Sequence, residues 1–374
     1  MRALENSKSF ALVLTAALAT WACGSSEANG GSAGSSPAPG GGAANAQAGS
    51  MNGAGGTITP VQMGAGAGNA GVSTAAGGAP GGAAGGKSGG GAAAGGTNAA
   101  GGAAQSGGNC TVGKWPAADP TAIGPFETVT ENEVGPEAGE ADADTGAVPK
   151  FTLFRPKDMS ANGLCHPVIT WGNGTGSTPN LYRSLLNLFA SHGFVVIGSN
   201  SKNVAKGDPK PMLVGVTWVL QQNEDPTSAL YHHLDPTHIG ATGHSQGAMA
   251  TSQAAGDPRI TTNVPIEGAM VQRNLSGPAM FFCGGQDDIV GCDGAKSALN
   301  AVTTLPAIYA EYLSVDHGSW MSFNNKPSVV YGAVTAWMRV QLMADDSLRS
   351  WFYGETCQLC ADAGWQIQQK NMAP

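Results

Sequence analysis

From residue 110 onward, short unbroken apolar runs alternate with stretches in which apolar residues recur at helical spacing. Pro167 to Trp171, Phe194 to Gly198, His238 to Thr242, Ala279 to Gly284 and Ala307 to Leu313 have the length and character of buried strands. Asn180 to Ser191 places Leu181, Leu185, Leu188 and Phe189 on one face of a helix. Pro211 to Gln222 fits a second helix with proline at its favourable opening position, and Ala248 to Ala255 a third whose small residues allow close packing on a sheet. This rhythm predicts an α/β fold: a mostly parallel sheet with helices on both faces, in one domain over residues 110–374 that is long enough to bury its own core.

The chain before residue 110 lacks this pattern. Arg2 and Lys8 precede the apolar run Phe10 to Leu18 and a few small residues, the layout of a secretory signal peptide over residues 1–22. The run is too short for a membrane span. Thr20-Trp21-Ala22-Cys23 resembles a bacterial lipobox, so lipidation of Cys23 is expected, with plain secretion as the alternative. Residues 23–109 are almost wholly Gly, Ala, Ser, Asn, Pro and Thr; from Gly24 to Asn109 there is no aromatic residue, and only Glu27 and Lys87 are charged. So little apolar area cannot offset backbone ordering costs of roughly 1 to 2 kcal/mol per residue, and a disordered Gly-rich tether is expected. Glycine keeps no strict third-position register, which excludes a collagen helix.

A net charge of −8 with no Lys/Arg cluster argues against nucleic acid and leaves membrane contact to the N-terminal lipid alone. A monomer is expected. Seven cysteines are present, and with Cys23 assigned to lipid the remaining six allow fifteen pairings. Cys283 and Cys292 flank a short loop, Cys357 and Cys360 lie close together, and Cys110 and Cys165 are then left to each other. A Cys-x-x-Cys can also be a redox or metal motif, but no second metal-spaced pair and no suitably placed histidine accompanies it. No metal or organic cofactor is implied.

Candidate chemistry centres on Gly243-His244-Ser245-Gln246-Gly247, the Gly-x-Ser-x-Gly form of a serine on a strained strand-to-helix turn. A strand pattern precedes it and a small-residue helix follows, as such an elbow requires. Downstream, one strand pattern runs into Gln286-Asp287-Asp288-Ile289 and another into Ser314-Val315-Asp316-His317-Gly318. Serine, then acid, then histidine is the chain order of α/β-hydrolases. Ser245 is the candidate nucleophile and His317 the base, the only histidine after the acid strand. Asp287 is preferred to Asp288 as the acid because it lies nearer the strand end; Asp293 and Asp316 are expected in solvent. The remaining histidines, His166, His192, His232, His233 and His238, read as loop or helix-end residues. The backbone N–H of Gln246 is expected in the oxyanion hole, with Asn173 in the loop Gly172-Asn173-Gly174-Thr175-Gly176 as the second donor.

Ser191-His192-Gly193-Phe194-Val195-Val196-Ile197, then Asp235-Pro236 and Gly243-His244-Ser245-Gln246-Gly247, resemble the bacterial cutinase-like lipases and polyester hydrolases. Ala336-Trp337-Met338-Arg339 with Asp345-Asp346 and a late cysteine looks like that family's closing helix. The likeness spans about Ala147 to Cys357, and it implies the same triad: Ser245, Asp287 and His317. The family's pattern of acid, variable residue, aliphatic residue matches Asp287-Asp288-Ile289. Two departures concern the substrate: Asn173 stands where the family carries Tyr or Phe, and Val264-Pro265-Ile266-Glu267-Gly268-Ala269 lacks the expected tryptophan. In the family those aromatics clamp an aromatic or long acyl ester. The resulting expectation is a secreted or surface-tethered bacterial serine carboxylic-ester hydrolase, lipase- or cutinase-like, acting on a small or polymeric ester. Two alternatives are a carbohydrate esterase, suited by polar Asn173, Gln246 and Glu267 near the mouth, and a surface-binding lipoprotein without catalysis.

Overall fold

The computed structural model describes residues 110–142, 145–321, 328–355 and 357–372. The signal peptide, Cys23 and the tether expected over residues 1–109 lie outside them. The elements are β1 Thr128–Val134, β2 Phe151–Pro156, β3 His166–Gly172, α1 Arg183–Ser191, β4 Val195–Ser199, α2 Lys210–Glu224, β5 Leu234–His244, α3 Gln246–Ala254, β6 Ile260–Ile266, β7 Ala279–Gly284, α4 Asp293–Ala301, β8 Ala307–Tyr312, α5 Ser328–Met343, α6 Gln358–Ala361 and β9 Trp365–Lys370.

All nine of these strands form one sheet in the order β1-β2-β4-β3-β5-β6-β7-β8-β9. The run from β4 to β8 is parallel, while β1, β2 and β9 are antiparallel additions at the edges. Side chains alternate across the pleat, so one strand feeds two cores. Val196 of β4 packs with Ile169 and Trp171 of β3 beneath α1 and α5; Val195 and Ile197 pack with Val168 beneath Met212, Val216 and Val219 of α2. Burial on both faces is why these strands read as continuous apolar runs rather than alternating ones. The chain leaves β3 for β4 on one side and returns past it to β5 on the other. That reversal opens a crevice at the carboxyl ends of β3 and β5, the usual ligand position in such sheets.

The helix expected from Asn180 begins as a 3-10 turn, Pro179–Tyr182, before α1. Tyr182 is fully buried and hydrogen-bonded to His244, which draws the first turn inward. Three cysteine pairs form disulfides: Cys110–Cys165, Cys283–Cys292 and Cys357–Cys360. In the first of these, Cys165 N–H also donates to Thr111 O (2.9 Å), fixing the start of the domain against the entry to β3.

His192 caps the end of α1, as expected of a helix-end residue, whereas His166 opens β3 rather than lying in a loop; both are fully buried. Burial pushes both downward, His192 to about 4, where the Arg339 guanidinium adds to the effect. His244 is held well below its usual value, by burial first and then by His317. All three are therefore neutral in the fold, whereas each takes a proton near pH 6.5 when unfolded. The unfolded state binds more protons below that pH, so stability falls as pH drops from about 6.5 toward 4, by up to about 1.4 kcal/mol per unit for each histidine. His238, raised by Asp235, adds stability only as pH falls to about 6.5, above this window; within it, buried Glu267, held above the usual carboxylate range, opposes the histidines. Melting temperature is expected to decline over this window and to decline less in His192→Gln; a level profile in the parent protein would mean that these histidines are protonated in the fold.

Candidate active site

Ser245 sits between β5 and α3 with φ 58° and ψ −125°. This is a sterically poor conformation for a residue with a side chain, and such strain persists only where the surroundings impose it. Ser245 N–H donates to Ile266 O (3.0 Å), which pins the turn to the end of β6. A Cβ on Gly247 would run into the Gly172 carbonyl, and one on Gly268 into the Ser245 carbonyl. The flanking glycines thus let β3, β5 and β6 close around one hydroxyl.

His317, in the loop after β8, accepts from Ser245 Oγ at Nε2 (2.9 Å), and its Nδ1–H donates to Asp287 Oδ2 (2.9 Å). Asp287 follows β7; its Oδ1 accepts the backbone N–H groups of Ile289 (2.9 Å) and Val290 (3.0 Å). Burial alone would raise the Asp287 carboxyl, but the His317 hydrogen bond and charge, with those two N–H groups, bring it below the usual carboxylate range. An ionised Asp287 fixes the His317 tautomer, with the proton on Nδ1 and a lone pair on Nε2 toward the serine. Asp288, Asp293 and Asp316 are exposed. The acid and base loops are bound to each other, Gly285 N–H to Tyr312 O (2.9 Å) and Gln286 N–H to Val315 O (2.9 Å). The Cys283–Cys292 disulfide closes the segment that bears Asp287.

Gln246 opens α3 directly after the serine. The N–H groups of a helix's first turn have no acceptor within the helix, so the Gln246 N–H is free to face the carbonyl of a bound ester. Asn173 follows β3 and is fully buried, its side-chain amide donating to Ser199 O (2.6 Å). The side chain is thereby committed, and only the backbone N–H suits the role expected of this residue. Gly174, the next residue, lies against the serine: a Cβ there would be 3.2 Å from Ser245 Cβ.

The polar mouth expected from Asn173, Gln246 and Glu267 is not present. Glu267, 1% exposed, points inward behind the triad, and Gln246 alone of the three is partly exposed. Glu267 Oε2 lies 3.1 Å from His244 Nε2 and 3.7 Å from His317 Nδ1, and His244 Nδ1 is 3.0 Å from the Tyr182 hydroxyl. No sequence motif marks Tyr182, and Glu267 is expected near the mouth rather than behind His317. The signal that could have found Glu267 is the one that found Asp287, a carboxylate immediately after a buried strand. Burial, then the charge of Asp287, holds Glu267 well above the usual carboxylate range. Its Oε1 and the buried Trp320 indole N–H lack a hydrogen bond of ordinary geometry, although the indole still favours the anion slightly.

Among the described residues, His244, Glu267 and His317 form a group close enough to hold a metal ion, with ligand atoms within 4.8 Å of one another. Every ring nitrogen in it is already hydrogen-bonded, to Tyr182, Glu267, Asp287 or Ser245. The trio therefore fits a hydrogen-bonded network better than a ligand set.

Comparison with curated proteins finds no match. The sequence model of a family described as PET hydrolase-like matches residues 177–368, just over half of the 374-residue chain.

Proposed function

We propose that this chain, which belongs to the PET hydrolase-like family of α/β-hydrolases, is a serine carboxylic-ester hydrolase working through an acyl-enzyme on Ser245. The observation that carries this reading is the unbroken hydrogen-bonded chain from Ser245 through His317 to Asp287 at the crevice of the sheet. Ser245 Oγ attacks the ester carbonyl carbon as His317 Nε2 takes its proton, and Asp287 stabilises the resulting imidazolium. The Gln246 N–H, with a second from the Asn173 loop, stabilises the oxyanion. His317 then hands its proton to the departing alcohol, and water attacks the acyl-enzyme by the same route in reverse.

The substrate reading follows from what faces the serine. The family name points to polyesters, but Asn173 offers no ring to stack on an aromatic ester, and its side chain is turned away toward Ser199. Small soluble esters are expected to be turned over faster than a polyester film. Burial of Asn173 and Glu267 removes most of the polar mouth that favoured a carbohydrate esterase. p-Nitrophenyl butyrate, a polyester film and acetylated xylan, assayed side by side with fluorophosphonate labelling of Ser245, test this. Labelling at Ser245 with turnover of the butyrate is the expected result; no labelling would reject the reading, and preference for the xylan would make it a carbohydrate esterase. Export as a monomer, tethered by lipid on Cys23, belongs to the same proposal. Three disulfides suit an oxidising compartment, and Cys23→Ser should move the protein from the membrane fraction into the medium.

A further inference from the structure

Glu267 is placed with unusual care for a residue outside the triad. It holds φ 51° without being glycine, its N–H is tied to Phe282 O (3.0 Å), and it follows directly the Ile266 carbonyl that pins Ser245. The last residue of β7, Gly284, has no side chain, and a Cβ there would overlap Glu267 Oε1. Strain in the backbone and a vacated position on the neighbouring strand both serve to bring one carboxyl behind His317.

The hydrogen bonds around it form a consistent set if Glu267 carries a proton. His244 is neutral, so Nε2 can accept the Glu267 O–H while Nδ1–H donates to Tyr182. The Tyr182 phenol, pushed up to about 12 by burial, remains neutral; it accepts the Gly174 N–H (3.2 Å) and contacts Ser177 Oγ (3.2 Å). Ser177 in turn donates to Gly174 O (2.6 Å). The chain of contacts runs from the rear of His317 to the loop beside Ser245. Two carboxyls so close cannot both be ionised in a buried site, and Asp287, with its three hydrogen-bond donors, is the one that keeps the charge.

We propose that Glu267 is a positioning residue and a reserve acid: neutral, it holds His244 and the Gly174 loop in place, and when Asp287 is removed it ionises and orients His317 in its stead. The inference rests on the ester-hydrolase reading above. The takeover requires Glu267 to lose its proton to solvent and the 3.7 Å gap to His317 Nδ1 to close to hydrogen-bond length. The ionisable groups facing Glu267 are His244, His317, Tyr182 and Asp287, with Asp316 farther out. Asp287 and Asp316 oppose its ionisation, so removing the nearer charge eases it.

The test compares Asp287→Ala, Glu267→Gln and Asp287→Ala/Glu267→Gln in kcat and in pH profile. Loss of a triad acid typically costs about 10⁴ in turnover. Here Asp287→Ala is expected to lose only about 10², and adding Glu267→Gln should remove most of the remaining difference from about 10⁴. Glu267→Gln alone should lose less than about tenfold, because its amide can still donate to His244. In Asp287→Ala the acid limb of kcat/KM should move to higher pH, since Glu267 must then ionise, a shift that a merely structural role would not produce. A double variant no slower than Asp287→Ala, or an unmoved limb, overturns the inference. Should the double variant fail to fold, the Asp287→Ala profile decides alone. The downfield proton signal of His317 Nδ1–H separates this from the activity reading: expected in Asp287→Ala and lost in the double variant, it reports the takeover even if no ester is found, and its absence from Asp287→Ala overturns it.

Discussion

Ser245→Ala and His317→Ala are each expected to lower turnover of a soluble ester by about 10⁶, with the double variant little worse than either. In the proposed mechanism the two side chains act as one unit, the serine attacking as His317 Nε2, 2.9 Å from Oγ, takes its proton. Removing either removes the same step, so the losses do not add. What remains is oxyanion stabilisation and binding, which neither substitution touches. Both residues are 2% exposed, and replacement by alanine removes polar atoms without adding volume, so the fold should survive. Single-turnover kinetics with p-nitrophenyl butyrate, alongside thermal melts, measures this. A double variant whose loss equals the product of the two single losses would show that the residues act independently.

Opening the Cys110–Cys165 disulfide is expected to give the largest loss of stability among the three bridges. It closes a loop of 55 residues, against 9 for Cys283–Cys292 and 3 for Cys357–Cys360. Restricting the unfolded chain over such loops contributes about 4, about 2.6 and about 1.6 kcal/mol respectively. The first bridge also anchors the segment that delivers Trp115 to the core, where it packs edge-on against Phe126 and His166. Urea unfolding of Cys110→Ala/Cys165→Ala should show a midpoint lowered in proportion. The reverse order of effect should hold for catalysis: Cys283→Ala/Cys292→Ala frees the segment bearing Asp287 and should lower kcat with little change in KM. Equal stability losses for the 55-residue and 9-residue bridges would argue against loop closure as the source.

The elements that were legible in the sequence are those whose side chains alone declare them. The central strands are buried on both faces and appear as apolar runs; Gly243 to Gly247 shows an elbow because only glycine clears the Gly172 and Gly247 carbonyls there. The edge strands β1 and β9, TVTENEV and WQIQQK, went unseen, since half-exposed edges are held by backbone pairing and leave little apolar pattern. The burial of His166 and His192 was not legible for a related reason. A histidine's burial depends on carbonyl partners elsewhere in the chain, here Met159 and Gly193 for the first and Ala122 for the second.

The sequence by itself determined the chain order of serine, acid and histidine, the parallel sheet that carries them, and the absence of an aromatic ring at Asn173. Each is a local property of residue type and spacing. Only the tertiary structure shows which of the two adjacent carboxylates reaches His317: the turn after β7 buries Asp287 beside it and leaves Asp288 in water. It also decided that Glu267 faces the triad from behind rather than the solvent. Where a side chain goes at the end of a strand is set by the neighbouring strands, here by the missing Cβ of Gly284 and the carbonyl that Ile266 gives to Ser245. Neither contact is local in sequence, and so neither could be read from it.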